Sequence, residues 1–275
     1  MLFEINHLGA ASFSRSQVNP ILKDVSLAVD EGEFTALVGE SGSGKSMTAL
    51  SVMHLLPEKI RVTGGEVRLG GKVISSMAER EFRSISGKEI SIVFQEPMTS
   101  LNPLMKAGRQ IEEAGLIHGL SKNEARARAE ELARLTGLLD TERILNSFPH
   151  ELSGGMKQRI MIAMALMNNP RLLIADEPTT ALDVLTQEEI IGILQNLRKT
   201  QKTAMLLITH DLSVVKKLCS RVYIMYKGQI VEQGLTKEIF ENPQNNYTKA
   251  LIEAIPALAK RNKKLPVYDA FLAER

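Results

Sequence analysis

Cysteine occurs once in the 275 residues, at Cys219. A single thiol makes an internal disulfide impossible and leaves no sulfur ligand set for a cysteine-rich zinc site or an iron–sulfur cluster, so a reducing compartment is the expected home. Long apolar runs are equally scarce. The strongest, Ile160 to Met167, falls well short of the roughly 20 residues needed to span a bilayer. The opening Met1-Leu2-Phe3-Glu4 has neither the basic start nor the apolar block of a secretory signal, so any service to a membrane is expected from outside the lipid. Nor does one charge dominate: 34 Lys and Arg against 32 Asp and Glu give a formal net charge of +2. The two signs alternate along the chain, which speaks against nucleic acid as a partner. The one locally basic stretch, Lys260, Arg261, Lys263 and Lys264, reads as a solvated tail, with weak attraction to anionic lipid or a partner as the alternative. There is no internal repeat and no low-complexity block.

With 44% hydrophobic and 24% charged residues, the chain can bury the core of one large domain or of a domain with a subdomain. Short runs rich in branched aliphatics, at Phe34 to Val38, Ile90 to Phe94, Leu172 to Ala175 and Met205 to Ile208, read as strands buried on both faces. Segments with helical spacing lie between them, at Ser46 to Leu56, Lys122 to Leu135, Gly155 to Met167 and Gln187 to Thr200. This alternation predicts an α/β fold with a mostly parallel core sheet. Two pieces turning at glycine, Gly65 to Val73 and Arg221 to Val231, are expected to form antiparallel ribbons in a side sheet. The strand-poor region Met98 to Leu152, with its charged amphipathic helix, is expected to be an inserted helical subdomain. The predicted organisation is a sheet-containing core over 1–97 and 153–236, a helical subdomain over 98–152 and a tail over 237–275.

Gly39-Glu40-Ser41-Gly42-Ser43-Gly44-Lys45-Ser46 matches the P-loop pattern. Its glycines let backbone N–H groups curl around phosphates, and its lysine adds a mobile positive charge. A strand leads in and a helix leads out, so the helix N-terminus points at the bound anion. Lys45 is expected on the β- and γ-phosphates of ATP and Ser46 on magnesium. The apolar strand at Leu172 delivers Asp176 and Glu177 at its C-terminal end, where ligands of such sheets bind. Asp176 is expected to hold magnesium, and Glu177 to orient or deprotonate the attacking water. The competing reading of an acidic pair is a solvated loop start.

Glu151-Leu152-Ser153-Gly154-Gly155-Met156-Lys157-Gln158-Arg159 precedes that strand. A serine and a glycine pair at a helix N-terminus make a second anion cradle with no lysine of its own. The segment resembles the signature motif of ATP-binding cassette proteins. In that family two cassettes pack head to tail, and the signature of one closes over the ATP held by the P-loop of the other. The resemblance extends, in order, to Gln95, to Ala181-Leu182-Asp183 and to His210. It implies that Gln95 senses magnesium and the transport domains, that Asp183 couples the two sites across the dimer, and that His210 contacts the γ-phosphate and positions water. It also implies Phe13 as the aromatic that stacks on adenine, ahead of a loop at Ser14 to Pro20. Taken singly, Gln95 reads as a turn residue, His210 as a structural histidine, Asp183 as a helix cap and Phe13 as a core phenylalanine.

Gln95-Glu96-Pro97-Met98-Thr99-Ser100-Leu101-Asn102-Pro103, together with the Met-rich helix after Ser153, is similar to the ATPases of oligopeptide, dipeptide and nickel importers. The tail, Asn242-Pro243-Gln244-Asn245-Asn246-Tyr247 onward to Ala254-Ile255-Pro256, is similar to that group's C-terminal motif, with Asn245-Asn246 replacing the usual His-Pro. The resemblance implies a heterodimer with a second ABC ATPase, a homodimer being the alternative. It also implies two membrane-spanning permease subunits met through Met98 to Gln110, an extracytoplasmic substrate-binding protein acting indirectly, and a peripheral place on the cytoplasmic face of the inner membrane. The expected function is to power import of peptides, or of nickel and metal chelates, by hydrolysing ATP with Mg2+. The rivals are the ATPase of a different ABC transporter and a non-transport cassette.

Overall fold

The uninterrupted apolar runs become strands buried on both faces in the computed structural model of the chain, which describes residues 1–14, 17–180 and 182–254. In chain order the elements begin with β1 (Phe3–Phe13), β2 (Val18–Val29), β3 (Phe34–Val38), α1 (Lys45–Val52), β4 (Ile60–Leu69), β5 (Lys72–Val73), α2 (Glu79–Ile85) and β6 (Ile90–Val93). A helical stretch follows: α3 (Pro97–Ser100), α4 (Ala107–Leu116), α5 (Lys122–Leu135), α6 (Thr141–Asn146) and α7 (Gly154–Leu166). The chain continues through β7 (Leu172–Asp176), α8 (Val184–Thr200), β8 (Ala204–Thr209), α9 (Leu212–Leu218), β9 (Arg221–Tyr226), β10 (Gln229–Leu235), α10 (Thr236–Glu241) and α11 (Asn246–Glu253).

The main sheet has the order β10-β9-β3-β8-β7-β6 and is parallel except for β10. Alternation along its strands divides the core in two. Phe34, Ala36, Val38, Leu173, Ala175, Met205 and Leu207 face a cluster completed by α7, α8 and α9. Leu37, Leu172, Ile174, Leu206 and Ile208 face the other cluster, completed by α1 and a second sheet. Covering on both faces is why these strands read as continuous hydrophobic runs.

The second sheet is antiparallel, in the order β2-β1-β4-β5. Its two longest strands, β1 and β2, are absent from the sequence-based expectation. Their ladder slips between Ile5 and Leu8, Leu8 and Ala10, and Ala10 and Ala11, and His7 and Asp24 take left-handed φ values of 54° and 74°. Bulges of this kind erase the alternation by which a half-buried strand is recognised. The ribbon Arg221 to Val231 is corrected: β9 pairs in parallel with β3, so the hairpin extends the main sheet, and only the Gly65 to Val73 piece lies in the side sheet. The loop expected at Ser14 to Pro20 is shorter, because β2 starts at Val18 and Pro20 sits opposite Ala11 on an edge strand, where its missing N–H is tolerated. Helix α1 ends at Val52 rather than Leu56: His54 takes φ 56° and stacks its ring on Phe82 at 4.0 Å.

Between β6 and β7 the chain is helical throughout. Ser121 caps α5 reciprocally with Glu124, and the stripe Ala125, Ala129, Leu132 and Ala133 turns inward. Helix α7 packs against α3, α4 and α5, tying this region to the sheet. No helix among the described residues is long and apolar enough to cross a membrane. Lys260 to Lys264 and the Ile255-Pro256 end of the tail motif lie outside the described residues.

Cys219 follows α9 in the core, where burial pushes its thiol up to about 12. Since only the thiolate is nucleophilic, the reactive fraction at pH 8 is about 10⁻⁴. Iodoacetamide is expected to leave the folded protein unlabelled and to modify it once denatured, as mass spectrometry would show.

Candidate functional site

Strand register brings the loops of the main sheet to one edge. Val38 lies beside Thr209, Asp176 beside Ile208, and Val93 beside Ala175. The residues that follow these strands, namely the phosphate loop, His210, Glu177 and Gln95, therefore leave from the carboxyl ends of adjacent parallel strands, the usual ligand edge of such a sheet.

The loop from Gly39 to Ser46 has the backbone shape that its glycines allow. Gly44 caps α1 with φ 111°, and Gly42 has φ 80°. Gly39 is required for a different reason: a Cβ there would lie 2.2 Å from the carbonyl oxygen of Met225 in β9. Because that atom is sheet backbone, Gly39→Ala is expected to cost about 1–3 kcal/mol, the range for overpacking, read as a lower denaturation midpoint. Ser41 and Gly42 are exposed and Ser43 is buried with its hydroxyl lacking any hydrogen-bond partner. Lys45 is only 4% exposed, and its ammonium donates to the carbonyl oxygens of Gly39 at 2.8 Å and Glu40 at 2.9 Å. Burial holds its pKa below the usual lysine value, against the opposing charges of Glu177, Asp176 and Glu40.

Asp176, 7% exposed, has its pKa raised, first by burial and also by Glu177, while a hydrogen bond from the Ser46 hydroxyl and the charge of Lys45 lower it. Its Oδ1 is buried with no hydrogen-bond partner. A buried carboxylate with one open oxygen, beside a serine hydroxyl, offers oxygen donors that fit a hard divalent cation shared with phosphates. Among the described residues no group of three or more His, Cys, Asp and Glu is arranged for a metal. A cation here would therefore need phosphate oxygens to complete its shell.

Glu177 is the hub of the site. Its Oε2 accepts from Thr180 Oγ1 at 2.6 Å and from Gln95 Nε2 at 3.4 Å, and lies 3.2 Å from His210 Nδ1. Its backbone takes φ 46° immediately before Pro178, and its N–H is held by the Ile208 carbonyl at 2.8 Å. A left-handed non-glycine residue at such a place is local strain retained by its surroundings. Gln95, Glu177 and His210, 82 and 33 residues apart in sequence, are thus gathered around one carboxylate oxygen. Thr180 is a partner that sequence reading missed; a threonine three residues after the carboxylate carries no signal by itself.

Ser153 caps α7, its hydroxyl accepting the Met156 N–H at 3.3 Å. A Cβ on Gly155 would lie 2.5 Å from Thr186 Cγ2. Asp183 caps α8, accepting from Thr186 N–H at 3.0 Å and Thr186 Oγ1 at 2.7 Å. These bonds hold its carboxyl below the usual range. The cap and the proposed coupling role therefore fall on the same residue, and Thr186, also missed in the sequence, joins Asp183 to the signature glycine. Ser153, Gly155 and Thr186 line a cavity of about 300 Å³ with Met156, Arg159 and Glu189, and none of its walls comes from the phosphate loop. The side chains of Val184 and Leu185 beside Asp183 are largely exposed. Ala181 lies outside the described residues. Phe13 sits half-exposed at the end of β1, paired with Val18. Of the stretch Met98 to Gln110, Met98 and Leu104 are exposed, but Gln110 is buried and clamps the loop through Asn102 and Met105.

Sequence and fold comparisons give the chain's relatives. Residues 22–180 match the family model described as ABC transporter, and residues 231–269 the one described as oligopeptide/dipeptide transporter, C-terminal region. The chain is 46% identical over 269 residues to a probable peptide ABC transporter ATP-binding protein, y4tR, of Sinorhizobium fredii, covering 97% of this chain and 80% of that protein. It is 44% identical over 266 residues to the oligopeptide transport ATP-binding protein AppD of Bacillus subtilis, covering 96% and 81%. Among solved structures, the dimeric cassette MJ0796 in a post-hydrolysis state with ADP and Pi superposes with a TM-score of 0.77 at 30% identity, covering 86% of this chain and 99% of that one. On these matches the chain belongs to the ABC transporter family, as an ATPase coupled to transport.

Proposed function

We propose that this chain is the ATP-hydrolysing subunit of a peptide importer, working at the cytoplasmic face of a membrane against two permease subunits. The observation that carries the mechanism is the gathering of Gln95, Thr180 and His210 on Glu177, next to Lys45 and Asp176. Lys45 exchanges its two carbonyl acceptors for β- and γ-phosphate oxygens. Ser43 and the N–H groups from Ser41 to Ser46 cradle the phosphates, and Glu177 takes the proton of a water aligned by His210. Ser46, Asp176 and Gln95 are the residues that would hold a magnesium ion, which would supply neutralisation of phosphate charge.

Ser153 and Gly155 line a cavity apart from the phosphate loop, which supports the use of the Ser153-Gly154-Gly155 helix start on a second cassette's ATP; Thr186, which bonds Asp183, lines the same cavity, and Val184 and Leu185 beside Asp183 are exposed. The dimeric neighbour supports this pairing, and a heterodimer with a second ATPase is the arrangement we favour. Phe13 is the proposed adenine platform. Met98 and Leu104 are the proposed permease contact. The division into a core (1–97 and 153–236), a helical subdomain (98–152) and a tail (237–275) follows from these roles. Peptide cargo is supported by the names of the relatives and by the C-terminal family model.

The test is ATP hydrolysis by the purified chain, alone and with the second ATPase and permeases in vesicles, adding binding protein loaded with oligopeptide or with nickel. Stimulation by the peptide-loaded protein, lost when EDTA removes magnesium, is expected. Stimulation by nickel alone would reassign the cargo, and indifference to the membrane subunits would sink the transport role.

Asp176 supplies a further prediction. A carboxyl whose folded pKa is raised above its unfolded value costs stability once the pH exceeds the unfolded value, so at pH 7 the ionised form burdens the ligand-free protein. Asp176→Asn is therefore expected to leave the ligand-free melting temperature unchanged or higher, while abolishing the magnesium-dependent rise produced by ATP. Thermal melts with and without Mg-ATP check both halves.

A further inference from the structure

The peptide unit joining Gly39 to Glu40 is where the chain leaves β3 and starts the phosphate loop. Its carbonyl, on Gly39, accepts from Lys45 Nζ at 2.8 Å. Its N–H, on Glu40, donates to the phenol oxygen of Tyr247 at 3.0 Å, across 207 positions of sequence. One peptide plane is thus held from both sides, by bonds with different fates. Lys45 has to release its carbonyl when phosphate arrives, whereas the Tyr247 bond is made to the N–H of the same peptide.

Tyr247 is firmly placed for this. It is 1% exposed and belongs to the main core cluster, and its ring packs on Tyr226 at 4.5 Å with a 42° tilt. Asn245 caps α11, its Oδ1 accepting the Tyr247 N–H at 2.8 Å. The Glu232 carboxylate of β10 accepts from the N–H groups of Gln244 and Asn245 at 2.7 and 3.2 Å. The Asn245-Asn246 substitution in the tail motif therefore keeps an anchored helix start. The hairpin that carries Tyr226 also touches the loop, since the Gly228 N–H donates to the Ser43 carbonyl at 2.8 Å. The phosphate loop rests on the β9–β10 hairpin and on α11 together.

We propose that Tyr247 is a positioning residue for nucleotide binding: its hydroxyl fixes the Gly39–Glu40 peptide so that Lys45 can leave the two carbonyls for phosphate while the loop keeps its shape. Helix α11 thereby sets ATP affinity. The inference rests on reading Gly39 to Ser46 as the nucleotide site. Thermodynamic linkage makes the coupling reciprocal, so nucleotide in the loop also steadies α11.

Tyr247→Phe keeps the ring and removes the hydroxyl. Losing one buried hydrogen bond corresponds to about a three- to tenfold change in affinity. The expected result is an ATP Kd and KM raised three- to tenfold, with kcat at saturation within about twofold and the ligand-free melting temperature lowered modestly, since the Glu40 N–H loses its acceptor there too. In the wild-type chain, Mg-ATP is expected to slow backbone hydrogen exchange over 246–253, a readout that requires no variant. Unchanged affinity in the phenylalanine variant, whatever its melting temperature, overturns the proposal, as does unaltered exchange in α11. A wild-type chain that binds no ATP overturns the nucleotide site itself. Affinity retained by wild type and variant alike leaves that site standing and removes only the role of Tyr247.

Discussion

Glu177→Gln is expected to lower steady-state ATP turnover by a factor of about 10²–10⁴, the range associated with loss of a general base, while ATP binding survives. The structure gives the reason for the separation. The partners of Glu177 Oε2 are Thr180, Gln95 and His210, which lie outside the phosphate loop. A glutamine of the same shape keeps an oxygen for the Thr180 hydroxyl but cannot accept a proton from water. The nucleotide cradle, made of backbone N–H groups and Lys45, is left intact. Nucleotide binding by titration beside phosphate release by the assembled transporter separates the two effects. Undiminished turnover in this variant would remove Glu177 from the base role and return it to a strained loop residue.

Lys45→Ala is expected to act on the other side of that division, weakening ATP binding about 10- to 100-fold through the loss of charge-assisted hydrogen bonds. The ammonium is the cation beside Asp176, Glu177 and Glu40, all of which act on its titration. Its removal also leaves the carbonyls of Gly39 and Glu40 without their present donor. Substitution should therefore disturb the loop even without nucleotide. Binding titrations of both variants side by side check the contrast: Glu177→Gln retains affinity and loses turnover, whereas Lys45→Ala loses affinity first. Equal affinities would mean that the backbone cradle alone holds the phosphates.

The parts of this site that were legible in the sequence share one property, which is that each is local. Eight consecutive residues from Gly39 to Ser46 build the cradle because glycine conformations and a helix N-terminus are properties of the segment itself. The run from Leu172 to Glu177 announces a buried strand ending in carboxylates, and Ser153 with two glycines announces a helix start. The α/β alternation was legible for the same reason, since β3, β7 and β8 are buried on both faces and are apolar apart from Thr35 and their last residues, Asp176 and Thr209. Other elements were hidden because their patterns are broken or their partners distant. Bulges at His7 and Asp24 concealed β1 and β2. The Arg221 to Val231 hairpin looks the same in sequence whether it stands alone or extends the main sheet, and only the parallel pairing of β9 with β3 decides that.

By itself, then, the sequence named the motifs this chain carries: a P-loop pattern, a carboxylate pair after an apolar strand, a serine and two glycines at a helix start, and one thiol with no disulfide partner. Tertiary structure alone decided how they meet. It put Gln95, Thr180 and His210 on a single oxygen of Glu177, linked Asp183 to Gly155 through Thr186, and set the hydroxyl of Tyr247 against the first peptide of the phosphate loop. The physical reason is that backbone conformation is set by neighbours a few residues away. Hydrogen bonds between side chains separated by tens to hundreds of residues exist only after the sheet has aligned its strand ends and the two cores have closed around it.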